Sequence, residues 1–253
     1  MLYSYLIQRF LLMFLTLLGM SIIIFVLLRL VPGNIVDIMF DSAGFVDPDE
    51  KKTIEKELGL DLPIYEQYYH WIVGLVSFDL GFSYVSEMPA VDEIGPRIPI
   101  TAKLAALSLF FSILFGLPLG VISAVKQNTA LDYALRVVSL SGLSLPSFWL
   151  ALLILMACVS YTGAIPIYTE TPETLWDELL LYLLPSAAVG FRASALIMRL
   201  TRSSMLEVMR QDYIRTAMSK GASDNAINYK HALRNAVLPV TTIIGIEAAF
   251  LIG

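Results

Sequence analysis

The sequence predicts an all-α fold, a polytopic bundle of transmembrane helices with at least five spans. The 253 residues are 57% hydrophobic and only 15% charged, with a mean hydropathy of +0.72, whereas soluble domains are about 25% charged. Uncharged apolar runs cover 10–28, 104–125 and 137–160, and each is close to the roughly 20 residues that a membrane-spanning helix needs. The distribution of positive charge between these runs agrees with that interpretation.

Lysine and arginine concentrate in connections on one side of the predicted membrane. If the N-terminus is inside, the inner segments 1–9, 126–136 and 199–235 carry one, two and seven of these residues, and the short outer loop 161–178 carries none. Because positive residues in short loops remain cytoplasmic, the pattern predicts a cytoplasmic N-terminus. The lipid bilayer is thus the first expected partner, and the net charge of −5 argues against nucleic acid.

The N-terminal part of the chain divides into two predicted domains. Residues 1–30 form an uncleaved span with a cytoplasmic start, because the apolar run is longer than the roughly 7–15 residues of a signal peptide. Residues 31–99 form an external segment of helices and loops. Acidic residues in a first turn predict a helix from Asp47 to Leu58 that Gly59 ends, and aromatic residues at helical spacing predict another over 64–76.

Residues 100–253 form the predicted core domain. Its spans are expected at about 104–125, 137–160, 179–198 and 236–253. The last run is still apolar where the sequence stops, so a sixth span is expected to be missing.

Two features of the core spans predict their shape and packing. One face of the second span carries a small residue at every fourth position, which allows close helix contact; these residues are Ser112, Gly116, Gly120 and Ala124. Proline removes a backbone donor and clashes with the preceding turn, so Pro118 and Pro146 predict bends in the second and third spans.

Residues that could carry catalysis or bind metal are scarce. His70 and His231 fall on opposite predicted sides of the membrane, the single cysteine is Cys158, and no Gly-x-x-x-x-Gly-Lys-Ser/Thr phosphate-binding loop occurs. The sequence therefore predicts no catalytic residue, no metal site and no cofactor in this chain. If the protein transports actively, a partner chain or an ion gradient supplies the energy.

Two ionisable residues, Arg192 and Glu247, lie within predicted spans. At about 1.5 Å per residue, both lie roughly 10–12 Å from the cytoplasmic edge. Such a pair either gates or couples to an ion, or it is a buried ion pair that joins two spans. The first interpretation favours a stand-alone channel or ion-coupled carrier, and a membrane scaffold without transport is a third class.

The segment between the fourth and fifth spans carries the strongest pattern. Asp212 can cap a short helix that runs through Lys220. Gly221 can end this helix in the left-handed conformation, and Ser223 or Asp224 can cap the next helix. A short helix held below the membrane between two spans is a docking element.

One side of this short helix carries Tyr213, Ala217 and Gly221. Ala217 and Gly221 are small, so a partner can approach this side closely. The alternative is an amphipathic surface helix that binds anionic lipid through its positive charges. Those charges are Arg210, Arg215 and Lys220.

This segment resembles the coupling loop of ABC-importer permeases, in the dipeptide/oligopeptide/nickel branch. That branch typically shows Asp-Tyr-x-Arg-Thr-Ala, Lys-Gly and His-Ala-Leu-Arg-Asn-Ala, followed by Leu-Pro. The matching stretches are Asp212 to Ala217, Lys220-Gly221, His231 to Ala236 and Leu238-Pro239. Further matches in the same order are Arg29 to Gly33, Leu58 to Pro63, Asp79 to Tyr84, Leu145 to Trp149 and Arg199 to Ser204.

The resemblance implies a type I ABC-importer permease, a multi-pass protein of a bacterial or archaeal cytoplasmic membrane. It implies a second, homologous permease subunit, two cytoplasmic ATP-binding subunits that hold ATP and Mg, and an extracytoplasmic solute-binding protein. Together these would import peptides or a similar small solute, including a nickel chelate. The resemblance does not identify the substrate-binding residues.

The resemblance also implies roles for individual residues. Those expected to couple to the ATPase are Asp212, Tyr213, Arg215, Thr216, Ala217, Lys220 and Gly221. Those expected to brace the loop beneath the fifth span are His231, Arg234, Asn235 and Pro239.

Overall fold

The protein is helical apart from one short hairpin in the residues that the computed structural model describes, which are 2–30, 33, 36–37, 48–83, 86–163 and 175–252. The predicted all-α class is confirmed. Four of the described helices are long and apolar enough to cross a membrane, and a bent pair of helices provides a fifth candidate. The chain divides into two compact units, Met1–Pro96 and Arg97–Gly253.

The first unit contains four helices and one antiparallel strand pair among its described residues. These are α1 (Leu2–Leu30), α2 (Pro48–Glu57), α3 (Ile64–Val76), β1 (Phe82–Ser83), β2 (Met88–Pro89) and α4 (Ala90–Ile94). α3 has the bounds that the sequence predicts. α2 is followed by Gly59 at φ +65°, a conformation that favours glycine, whereas its predicted first residue, Asp47, lies outside the described residues.

α1 is apolar on all sides, and most of its side chains are exposed within the first unit. It packs on α3 through Phe25, whose ring centroid lies 5.4 Å from that of Tyr68 and 5.7 Å from that of Trp71. The hydroxyl groups of Ser21 and Tyr68 are hydrogen-bonded at 2.9 Å. A helix that is apolar all round suits a hydrocarbon environment, which supports the interpretation of α1 as the first span.

The second unit is a helical bundle with α8 at its centre, in contact with each of the other long helices. Its described elements are α5 (Arg97–Val125), α6 (Ala130–Ser144), α7 (Ser147–Thr162), α8 (Leu175–Val208), α9 (Asp212–Ser219), a π-helical segment (Ala226–Leu233) and α10 (Arg234–Ile252). The predicted outer loop 161–178 falls largely on residues 164–174, outside the described part.

The small-residue face of α5 packs against α8, as the spacing predicts. A Cβ atom added at Gly116 would lie 2.7 Å from the carbonyl oxygen of Ser194, and one at Gly120 would lie 2.7 Å from that of Met198. These separations are shorter than any van der Waals contact with carbon. The two backbones can approach this closely only because α5 carries glycine at both positions.

The apolar run 137–160, expected as one span, forms two helices. α6 ends at Ser144 and α7 begins at Ser147, and the two helices are bent by 109°. Pro146 lies in the break and disfavours helical conformation for the residue before it, and Leu145 is indeed extended, with ψ 132°. The bend predicted at Pro146 is confirmed as a break between two helices. Pro118 lies inside α5, which continues through it.

α8 is longer than the predicted fourth span, 179–198. It continues to Val208, so Arg199 and Arg202 lie on a helix and not in a loop. Hydropathy identifies only the apolar part of a helix, and backbone hydrogen bonds carry this helix beyond it. In the same way, α10 begins at Arg234, two residues before the predicted fifth span, 236–253.

Candidate functional site

The short helix α9 between α8 and α10 is the candidate site. It spans Asp212–Ser219, and Gly221 follows at φ +78°. The amide of Ala222 donates to the carbonyl oxygen of Ala217 at 3.1 Å, which satisfies one of the carbonyl groups that a helix end leaves free. The left-handed helix stop predicted at Gly221 is therefore present.

The expected cap of α9 is corrected. Gln211 is the N-cap residue and makes no side-chain capping hydrogen bond, and Asp212 is the first residue of the helix. An acidic residue in the first turn still interacts favourably with the helix dipole. The Asp212 carboxylate lies 3.5 Å from the Arg215 guanidinium, with both side chains exposed.

One apolar side chain anchors α9 to the bundle. Ile214 is fully buried, in a cluster formed by the ends of α5, α8, α10 and the π-helical segment. The cluster consists of Val121, Ala124, Met205, Ile214, Ile227, Ala232 and Ala236. Of the other residues of α9, Ala217 is half-buried and the rest are exposed.

A polar contact ties α9 to the beginning of α10. The Asn235 side-chain amide donates to the Tyr213 hydroxyl at 2.7 Å and to the carbonyl oxygen of His231 at 3.3 Å. Tyr213 and Asn235 are 22 positions apart in sequence, so the contact joins two separate elements. Together with Ile214 it gives α9 two attachments to the bundle.

The remaining predicted site residues have different surroundings. The Thr216 hydroxyl donates to the carbonyl oxygen of Asp212 at 2.9 Å. Lys220 and Arg234 are exposed, and within the described part of the chain their side chains form no hydrogen bond or ion pair. Pro239 lies inside α10, and His231 lies in the π-helical segment, a geometry that occurs frequently near functional sites.

Sequence reasoning missed a buried ion pair at the same end of the bundle. Asp132 is fully buried, and both of its carboxylate oxygens accept hydrogen bonds from Arg202, each at 2.8 Å. The same carboxylate accepts from the Ser123 hydroxyl at 2.6 Å and from the Asn128 amide at 3.0 Å. These bonds join the end of α5, the first turn of α6 and the lower part of α8.

One signal in the sequence could have indicated this pair. Asp132 is the only acid in the inner connection 126–136, and a lone acid between two apolar spans needs a positive partner. The sequence does not say which of the many arginines on that side supplies the partner.

The structure brings the two intramembrane candidates, Arg192 and Glu247, together. An Arg192 guanidinium nitrogen lies 3.3 Å from a Glu247 carboxylate oxygen, and the pair joins α8 to α10. The Glu247 side chain is 6% exposed and that of Arg192 42%. The guanidinium carbon also lies 5.1 Å from the ring centroid of Phe250.

Two family comparisons cover most of the chain. Residues 116–253 match the family described as "Binding-protein-dependent transport system inner membrane component". Residues 1–105 match the family of the N-terminal part of such membrane components. The described residues contain no cluster of histidine, cysteine, aspartate or glutamate that could hold a metal ion.

Named relatives agree with the family comparisons. The dipeptide transport system permease protein DppB of Alkalihalophilus pseudofirmus is 34% identical, over 99% of this chain and 81% of that protein. DppB of Escherichia coli K12 is 33% identical, over 94% and 77%. The glutathione transport system permease protein GsiC of Escherichia coli O6:H1 is 34% identical, over 99% and 79%.

These matches favour a transport permease over a catalytic enzyme and do not support a stand-alone channel or ion-coupled carrier. With its several apolar helices, the chain is a multi-pass inner-membrane protein and belongs to the family of permease components of binding-protein-dependent transport systems.

Proposed function

We propose that this chain forms half of the translocation pathway of an ATP-driven importer for short peptides. The named relatives are permeases for dipeptides and for glutathione, which share an amino group, a carboxylate and a small size. One observation carries the proposal: α9 lies between α8 and α10 in sequence, with Ile214 buried, Ala217 half-buried and its other residues exposed. A helix with this arrangement is accessible to a second protein that binds it.

In this proposal α9 acts as a lever. A partner ATPase receives the exposed side of α9 that carries Tyr213, Ala217 and Gly221. When the ATPase closes, the force reaches α8 and α10 through Ile214 and through the hydrogen bond from Asn235 to Tyr213. A short rigid element fixed at two points can convert such closure into a tilt of the spans.

The proposed assembly contains a second homologous permease, two ATP-binding subunits and an external solute-binding protein. ATP and Mg are held by the ATP-binding subunits. The external segment within residues 31–99 receives the binding protein, so solute choice rests largely on that protein.

The proposed orientation has the N-terminus and α9 in the cytoplasm, because positive charge concentrates in the inner segments. A maleimide that cannot cross membranes tests it in a Cys158→Ser background. It should label Lys220→Cys only in inside-out vesicles and Val76→Cys only in right-side-out vesicles. Labelling in the reverse pattern would refute the orientation.

Co-purification of the ATPase tests the lever. Gly221→Asp forces a side chain into the left-handed region, at about 1 kcal/mol or more, and adds a charge to the proposed docking surface. We expect this variant to lose the ATP-binding subunit that the wild type retains.

Gly163→Asp is the matched control. Gly163 also ends a helix at positive φ, and a Cβ atom there meets nothing within 4 Å, as at Gly221. It should retain the ATPase because it lies at the end of α7. If Gly221→Asp retained the subunit equally well, α9 would not be the docking element.

A further inference from the structure

A cavity of about 510 Å³ lies where α6, α8 and α10 meet at the α9 end of the bundle. Three arginines line it, Arg136 from α6 and Arg199 and Arg202 from α8. The cavity is separate from the exposed side of α9 that the proposed ATPase contact uses.

The positive charges around this cavity exceed the negative charge available to them. Asp132 is the one carboxylate that pairs with these arginines in the described residues, and both of its oxygens are already bonded to Arg202. Arg136 lies 3.7 Å from the same carboxylate, beyond hydrogen-bond distance. Among the described residues, one carboxylate therefore pairs with two of the three arginines, and Arg199 has no carboxylate partner.

Two of the arginines also have unused hydrogen-bond donors. The Nε atom of Arg136 is buried and donates no hydrogen bond. Arg199 is exposed and forms no ion pair or hydrogen bond with any described residue. A buried donor without an acceptor is unfavourable, and an anion in this cavity would offer charged acceptors to Arg136 and Arg199.

The rest of the wall is mostly apolar, with the two hydroxyl groups of Ser139 and Ser203. The apolar side chains are Leu140, Leu196, Leu200 and Ile243, with Met198 at one edge. A second cavity of about 570 Å³ adjoins the first and shares Ser139 and Met198 with it. Aromatic and aliphatic side chains line this neighbour, among them Phe111, Phe115 and Phe191. A ligand of the first cavity therefore meets cationic donors at one end and hydrocarbon at the other.

We propose that this cavity binds an anionic phospholipid of the cytoplasmic leaflet, with its phosphate between Arg136 and Arg199 and its acyl chains along the aliphatic wall. Basic pockets between helices on the cytoplasmic side suit such headgroups. Free inorganic phosphate would use the arginines but gain nothing from the apolar wall. The placement in the leaflet rests on the proposed orientation, whereas the binding itself does not depend on the ATPase.

Native mass spectrometry of the intact chain in detergent tests the proposal. Phosphatidylglycerol and phosphatidylcholine of the same acyl composition are added in separate titrations. We expect tighter binding of phosphatidylglycerol, weakened roughly tenfold by Arg199→Gln through the loss of a charge-assisted hydrogen bond. Arg199 is exposed, so this variant should fold normally. Ile243→Trp, which fills the cavity without changing charge, should weaken binding of both lipids.

Lys230→Gln is the matched control, because it removes an equal charge from an exposed position of the π-helical segment. If it weakened phosphatidylglycerol binding as much as Arg199→Gln does, the effect would be general surface attraction and the site would be refuted. Equal binding of the two lipids would also refute it. If millimolar phosphate or a dipeptide displaced phosphatidylglycerol, the proposal of a lipid site would be wrong. The ligand of the cavity would then be a free anion or the transported solute.

Discussion

Asp132 shows how much one side chain can fix at the end of a helical bundle. Its carboxylate accepts four hydrogen bonds, two of them from Arg202 and one each from the Ser123 hydroxyl and the Asn128 amide. Thr129 caps α6 by accepting from the Asp132 amide at 3.4 Å. One carboxylate thus connects the end of α5, the first turn of α6 and the C-terminal part of α8.

Asp132→Asn should lower the thermal stability of the protein strongly. The substitution leaves the Arg202 guanidinium, largely buried, without its counter-charge, and breaking such a pair costs about 3–5 kcal/mol. Thermal unfolding in detergent measures the effect. Asp212→Asn, which removes an acid from an exposed pair, is the control and should melt like the wild type.

The double variant Asp132→Leu with Arg202→Met sharpens this prediction. Replacing both charges by apolar groups of similar volume is often neutral or stabilising. We expect it to recover most of the stability that Asp132→Asn loses. A double variant as unstable as the single one would mean that the hydrogen bonds to Ser123 and Asn128 dominate.

Tyr213→Phe should uncouple ATP hydrolysis from transport. It removes the hydroxyl that accepts from Asn235, a bond worth about 1 kcal/mol, and keeps the aromatic ring for the partner. In reconstituted complexes, we expect ATPase binding to persist while solute moved per ATP falls. Tyr229→Phe, an exposed tyrosine of the π-helical segment, should leave the ratio unchanged. If Tyr213→Phe left the solute moved per ATP unchanged, the hydrogen bond from Asn235 to Tyr213 would not take part in coupling.

Among elements, the contact between α5 and α8 depends on the absence of side chains. Gly120→Ala would place a Cβ atom 2.6 Å from Cβ of Thr201, and overpacking of this kind costs about 1–3 kcal/mol. We expect a lower melting temperature than for Gly245→Ala, where a Cβ atom meets nothing within 4 Å. If both variants melted at the same temperature, α5 and α8 would be able to move apart around the added Cβ atom without loss of stability.

Local patterns predict local elements well in this chain. The aromatic spacing over 64–76 gives the bounds of α3, and Gly221 gives the end of α9, because periodicity and left-handed stops are properties of neighbouring residues. The run 137–160 shows the limit. Hydropathy measures how apolar a segment is but not its direction, so it cannot distinguish one span from two helices bent by 109°.

Contacts between distant residues could not be predicted in the same way. Asp132 and Arg202 are 70 positions apart, and no spacing rule connects them. The pair Arg192 and Glu247 was predicted only because both are conspicuous charges at a matching depth in apolar runs. The coupling role of α9 came from the family resemblance, while the contact between Tyr213 and Asn235 needed the fold.

At the scale of the whole molecule, the source of energy separates an importer permease from an ion-coupled carrier. In proteoliposomes that contain the complete complex, we expect uptake to require ATP and to continue when a protonophore collapses the proton gradient. Glu247→Gln should lower stability by breaking the pair with Arg192 and leave this energy requirement unchanged. Uptake that stops with the protonophore would restore the carrier interpretation.

The break between α6 and α7 has a consequence for solvation. With 15 and 16 residues at about 1.5 Å each, neither helix alone reaches across a hydrocarbon layer of about 30 Å. A pair that crosses together therefore places its turn inside that layer. The first amides of α7 have no acceptor within the helix, and Pro146 offers no side-chain cap. Lipid cannot satisfy these groups, so a turn at this depth has to be covered by protein or has to line a water-filled cavity.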